Sequence, residues 1–136
     1  MTPRDMYERM RQNWISNAPA FDEEMLADDV VLETPFAMPG RPVTTTGRAD
    51  VLAYIRAGQA SVPFRFDDCR TLAVHDTATP ETIVVEYELA ATMVATGFSA
   101  SAPFIGVLTV RDDRITRWRE YQNQAAIAAA MNDPAR

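Results

Sequence analysis

The stretch Arg111 to Met131, RDDRITRWREYQNQAAIAAAM, holds the side chains best suited to acid–base chemistry. Read as a strand that ends at Gln122, it puts Thr116, Trp118, Glu120 and Gln122 on one face and Ile115, Arg117, Arg119 and Tyr121 on the other. One face therefore unites a large aromatic, a carboxylate and an amide. A carboxylate held between aromatics in a dry pocket loses hydration. Its pKa then rises toward the range where it can both take and give a proton near neutral pH. Glu120 is the candidate for that role. The alternative is a glutamate on an exposed strand edge, or one paired with Arg65, Arg70 or Arg111.

Other reactive side chains are less well placed. His75 is the single histidine and lies in AVHDTATPET just before a turn, which reads as surface. Cys69 is the single cysteine and follows Asp67 and Asp68, an acidic setting that works against a thiolate. Glu86 and Glu88 share a strand face but alternate with Val85, Tyr87 and Leu89, the pattern of a solvated or partner-facing side. Tyr54 could donate a hydrogen bond to a substrate carbonyl, or could simply pack beside a helix stripe. Trp14 and Trp118 would wall a cavity. Met10, Met25, Met38, Phe36, Phe64 and Phe104 would supply adaptable apolar lining. The sequence carries no Gly-rich phosphate loop and no Ser-His-Asp order, and with no metal-ligand spacing a metal is not expected.

Composition narrows the partners. The chain has 136 residues, is 47% apolar and 24% charged, and carries a net charge of −6 with no run of Lys or Arg. That length suits one domain over residues 1–136 with a core of its own. The acidic balance repels phosphate backbones and anionic lipid, so nucleic acid and membrane are not expected partners. The opening MTPRDMYERMRQNW has no apolar run of signal-peptide length, and a cytoplasmic protein is the expectation.

The elements that would position these residues follow in order. Thr2-Pro3-Arg4-Asp5 starts a helix whose stripe is Met6, Met10 and Trp14 with Tyr7 beside it, ending near Asn17. Pro19 opens a short second helix through Phe21, Met25 and Leu26, closed by Asp28-Asp29. Residues 30–34 form a strand stopped by Pro35. PFAMPGRPVTTTG is a loop or broken edge strand. A third helix runs from Arg48 to Ala57, with Gly58 after its end. Strands follow at about 64–75, 82–95, 98–111 and 114–122, joined by short turns and therefore antiparallel. Helices gathered ahead of a meander make an α+β domain, with one sheet face covered and a small-molecule pocket between the layers.

The segments DDVVLETPFAMPGRPVTTTGRADVLAYI, AVHDTATPETIVVEYEL and VLTVRDDRITRWREYQN resemble the nuclear transport factor 2-like superfamily. Within it the chain resembles the SnoaL-like group that includes the phenazine-biosynthesis A/B proteins. The resemblance implies a cone-shaped roll: a curved, mainly antiparallel sheet, three N-terminal helices on its concave face and a short C-terminal helix. It also implies a hydrophobic pocket and a homodimer through the outer sheet face. Relatives of this kind include ketosteroid isomerases, polyketide cyclases, dehydratases, epoxide hydrolases and non-catalytic binding domains. Their chemistry is commonly cofactor-free acid–base work. Glu120 matches the glutamate of the R-E-F/Y motif that is catalytic in the phenazine-type proteins. Their histidine aligns with Tyr54. The isomerases' aspartate base aligns with Thr34, which cannot take a proton near neutral pH, and their tyrosine donor falls near Trp14. The implied function is a cofactor-independent isomerase, cyclase or dehydratase acting on a hydrophobic aromatic or polycyclic metabolite. The alternative is a ligand-binding or interaction module without chemistry. The residues expected at the site are Glu120 and Tyr54 as catalysts. Trp14, Met10, Met25, Thr34, Phe36, Met38, Phe64, Phe104, Trp118 and Gln122 would contact the substrate.

Overall fold

The computed structural model describes residues 1–131. Helix α1 spans Pro3–Ile15 and starts as its residues dictate. The Thr2 hydroxyl accepts from the Asp5 amide and the Asp5 carboxylate accepts from the Thr2 amide, satisfying two otherwise orphaned donors. Its stripe of Met6, Tyr7, Met10 and Trp14 is buried against the sheet. Strand β1 (Leu26–Glu33) and the short edge strand β2 (Thr44–Thr46) precede helix α2 (Arg48–Ser61). Strands β3 (Phe64–Asp76), β4 (Thr82–Met93), β5 (Ser99–Arg111) and β6 (Arg114–Gln122) then form the meander, and helix α3 spans Gln124–Met131.

The six strands make one sheet in the order β2-β1-β6-β5-β4-β3. All neighbours are antiparallel except β1 and β6, which run parallel and so join the beginning of the chain to its end. The inner face packs on the helices and holds Leu32, Val85, Tyr87, Leu108, Ile115 and Trp118. The outer face is laced with polar pairs: the ion pairs of Glu33 with Arg117 and Arg70 with Glu88, and a hydrogen bond between His75 and Glu86.

Four local expectations are corrected. The second of the three expected N-terminal helices is a single 3₁₀ turn, Glu23–Met25, capped by the Asp22 carboxylate. Asp28 and Asp29 lie within β1 rather than closing a helix, because pairing with β6 already begins at Leu26. The strand's ladder supplies the backbone partners that a longer helix would have needed. Helix α2 runs through Gly58 and stops only before Pro63. A mid-helix glycine costs about 1 kcal/mol, whereas a proline disfavours helical geometry in the residue before it. Finally, Ile115 lies inward and not outward. A bulge where Thr109 pairs with Arg117 but Val110 with Ile115 leaves Thr116 as the extra residue, and Ile115 and Trp118 reach the same core.

Candidate functional site

Glu120 lies on β6 opposite Gly106 of β5, on the sheet's inner face. Its carboxylate is held at both oxygens. The Tyr87 hydroxyl donates to Oε2, and Gln122 Nε2 donates to Oε1 at 2.8 Å. Gln124 Nε2 extends the chain by donating to Gln122 Oε1 at 2.9 Å and to the Phe36 carbonyl at 3.2 Å. None of the arginines considered as partners reaches Glu120. Arg65 pairs with Asp67, Arg70 with Glu88 and Arg111 with Glu81.

An aromatic shell surrounds this carboxylate. Tyr87 is fully buried, and its ring lies 5.1 Å from Trp14 and 5.6 Å from Phe104, close to parallel with both. Trp118 closes the same cluster 6.3 Å from Tyr87 and meets Phe21 edge-on. Trp118 can lie against β5 only because residue 106 is glycine: a Cβ there would sit 2.0 Å from the indole Cη2. Burial in this shell raises the Glu120 pKa, while the bonds from Tyr87 and Gln122 pull against that rise. Burial and the neighbouring carboxylate also push the Tyr87 phenol well above its ordinary range, so it stays a donor. Cys69 is buried, its thiol pushed up to about 11 by desolvation, which suits core packing rather than nucleophilic chemistry.

An open cleft of about 670 Å³ lies between the end of α1, helix α2 and the start of β3, within the roughly 300–1,000 Å³ typical of small-molecule sites. Trp14, Tyr54, Phe64 and Gln122 line it, joined by Phe66 and Arg41. Trp14 and Gln122 thus touch both the cleft and the Tyr87–Glu120 pair. Asn17 sets the shape of this wall. It ends α1 with a left-handed φ of 59°, and its side chain exchanges two hydrogen bonds with the Phe66 backbone. Its carbonyl accepts from Gln59 of α2 at 2.9 Å.

The expected site residues divide into groups. Trp14, Tyr54, Phe64 and Gln122 meet at the cleft; Phe104, Trp118 and Glu120 gather behind it around Tyr87. Met10 and Met25 are sealed in the core, where the helix stripe and the 3₁₀ turn bury them. Thr34 is buried at the end of β1, its amide donating to the Val43 carbonyl at 2.7 Å. Phe36 and Met38 are 60% and 51% exposed on the loop after β1, and Phe36 packs edge-on against Tyr121 on the outer side. These two are not brought to the cleft, because Pro35 turns the chain out of the sheet directly after Thr34. Reading the sequence for chemistry missed Tyr87 and Asn17. Tyr87 was legible as the polar-tipped member of the inward row Val85, Tyr87, Leu89. Asn17 was legible only as a helix terminus.

Among the described residues no group of His, Cys, Asp or Glu side chains could hold a metal ion, and no helix is long and apolar enough to cross a membrane.

Residues 4–118 match the SnoaL-like domain family. An uncharacterised PhzA/B-like protein of Pseudomonas aeruginosa is 29% identical over 93 residues, covering 68% of this chain and 64% of that one. The crystal structure of a candidate isomerase from Bacillus subtilis superposes with a TM-score of 0.82 at 22% identity, covering 94% of this chain and 91% of the other. A candidate polyketide cyclase from Xanthomonas campestris superposes with a TM-score of 0.72 at 18% identity, covering 96% of each chain.

Proposed function

We propose, from the premise that this chain belongs to the SnoaL-like domain family of the nuclear transport factor 2-like fold, that it is a cofactor-independent acid–base enzyme of isomerase, cyclase or dehydratase type. The observation that carries the reading is Glu120: a desolvated carboxylate with a raised pKa, held by neutral donors and, among the described residues, facing no cation. A carboxylate tuned upward is a better match to proton transfer near neutral pH than an exposed one. In the reaction proposed, Glu120 takes a proton from a carbon next to a carbonyl. The C–H bond breaks, its electron pair moves to the carbonyl oxygen, and the Tyr54 hydroxyl or the Trp14 N–H supports the charge there. Glu120 then returns the proton at another carbon or to a leaving group. Tyr87 positions Glu120 without touching substrate, and Gln122 gives way as the substrate reaches Oε1. The substrate is an apolar aromatic or polycyclic metabolite bound in the cleft. The names of the similar solved structures, isomerase and polyketide cyclase, support the same class.

The test is deuterium exchange. Incubated in D₂O with cyclic enones and aryl ketones, the protein should exchange α-protons, and Glu120→Gln should slow that exchange by about 10²-fold or more. Exchange that is undiminished in the variant overturns the assignment. A second reading, a ligand-binding module without turnover, is favoured by one observation: both Glu120 oxygens are already engaged by side chains of the same chain. Ligand binding without exchange in the wild type would select it.

The chain is further proposed to act as a homodimer through the outer sheet face, where Leu72 and Ile105 remain exposed beside Phe36 and Tyr121. Light scattering at twice the monomer mass would bear this out. The monomer mass at high micromolar concentration would refute it.

A further inference from the structure

Beside the cleft, and sharing part of its wall, is a second, smaller pocket of about 60 Å³ that is half open to solvent. Its lining is apolar apart from Ser101, with Phe64, Phe66 and Phe104 on its walls and Ile127 of α3 over it. Its floor is made by alanines: Ala91 on β4, Ala100 and Ala102 on β5. The same inward rows carry Val85 and Leu108 where the core is filled. Two connections tie this chamber to the site. It shares Phe64 and Phe66 with the cleft, and its Phe104 stacks on Tyr87 with 9° between the ring planes. Tyr87 in turn holds Glu120.

We propose that this chamber is a specificity subsite for a two- or three-carbon alkyl group on a ligand whose body lies in the cleft. The inference rests on the reading of the cleft as the ligand site, but not on Glu120 performing chemistry. Size sets the limit. An apolar cavity of about 150 Å³ holds benzene, a six-carbon ring, so about 60 Å³ scales to two or three carbons and is too small to take in a whole aromatic ring. Chemistry sets the class, because a pocket with this lining offers almost nothing to a polar group. Position gives the consequence. An alkyl group anchored beside Phe104 fixes how far the ligand's body lies from the Tyr87–Glu120 pair, which is the orientation that proton transfer requires.

The experiment is calorimetric titration of the intact chain with phenol and its 4-methyl, 4-ethyl, 4-propyl and 4-butyl derivatives; the phenol head resembles an enol. In the wild type each added carbon should tighten binding about fourfold through ethyl or propyl, and the gain should stop or reverse at butyl. Ala102→Leu, which fills the floor, should flatten the series. Ala100→Leu provides the same test from the neighbouring position if the first variant folds poorly. Xenon supplies an arm independent of any head group: in the wild type it should shift the Ile127 methyl resonances, and in the filled variants it should not. A parent phenol that binds with no chain-length gain overturns the subsite and leaves the cleft reading standing. A gain that continues unchanged through butyl, or that survives both substitutions, also overturns it. If no phenol binds at all, the cleft reading falls and the subsite with it.

Discussion

The two faces of the sheet use glutamate in opposite ways. On the outer face Glu33 lies 3.2 Å from Arg117 and 3.6 Å from Arg119, both on β6. On the inner face Glu120, the next residue after Arg119, meets only neutral donors and no cation among the described residues. Adjacent positions on one strand point to opposite faces, so a single step along the backbone exchanges an ion-pair lattice for an aromatic shell. The lesson is that residue type says little about a carboxylate's proton affinity. The environment supplied by β4, β5 and α1 decides it.

The comparison can be broken most forcefully at its aromatic side. Trp118→Ala should cost about 3–5 kcal/mol in urea unfolding, since it empties the centre of the inner cluster. Gly106→Ala is expected to cost about 1–3 kcal/mol, because its new Cβ would meet the indole at 2.0 Å and force it aside. A neutral outcome would mean that the tight fit of Trp118 on β5 is unimportant. Tyr87→Phe should cost about 1–3 kcal/mol by leaving the Glu120 carboxylate short of a donor. Because that bond favours the charged form, its loss should move the Glu120 pKa further upward, read from carboxyl carbon NMR; a downward move would contradict the assignment.

A pH test sharpens the contrast. Glu120 binds its proton more tightly in the folded chain than in the unfolded one. Between the ordinary glutamate range and its raised folded value the native state therefore holds the extra proton, and stability falls as pH rises through that window. Glu120→Gln should remove this decline, so wild-type and variant melting curves recorded from acid to neutral pH should diverge as pH rises. Parallel curves would show that the carboxylate is not desolvated in solution. The smallest effect belongs to the outer face. At concentrations where the chain is monomeric, Arg70→Ala should change stability by no more than about 0.5–1 kcal/mol, because within one chain its pair with Glu88 is open to solvent. A larger loss that grows with protein concentration would show that a second copy covers this face.

Much of the fold was legible because local rules and tertiary packing agree. The Thr2 capping box, the α1 stripe and the Asp112-Asp113 turn are all found where the residues call for them, the two aspartates at φ of 52° and 63°. Where local signals were weak they misled. Gly58 looked like a helix end, and the segment after Pro19 looked like a helix, yet a proline and a strand partner decided those boundaries. That Trp118, Glu120 and Gln122 share one face followed from alternation, but that this face is the inner one came from the packing, and Ile115 broke the pattern because a bulge intervened.

What the sequence determined by itself was the α+β class, the run of antiparallel strands and the grouping of Glu120 with Trp118 and Gln122 on one face, since these depend on periodicity and turn chemistry over short spans. Only the tertiary structure paired Glu120 with Tyr87, 33 residues away, ended the search for an arginine partner and sent Phe36 and Met38 outward. Those outcomes depend on register between distant strands and on how tightly a glycine lets a tryptophan approach. Neither quantity is written in any local stretch of residues.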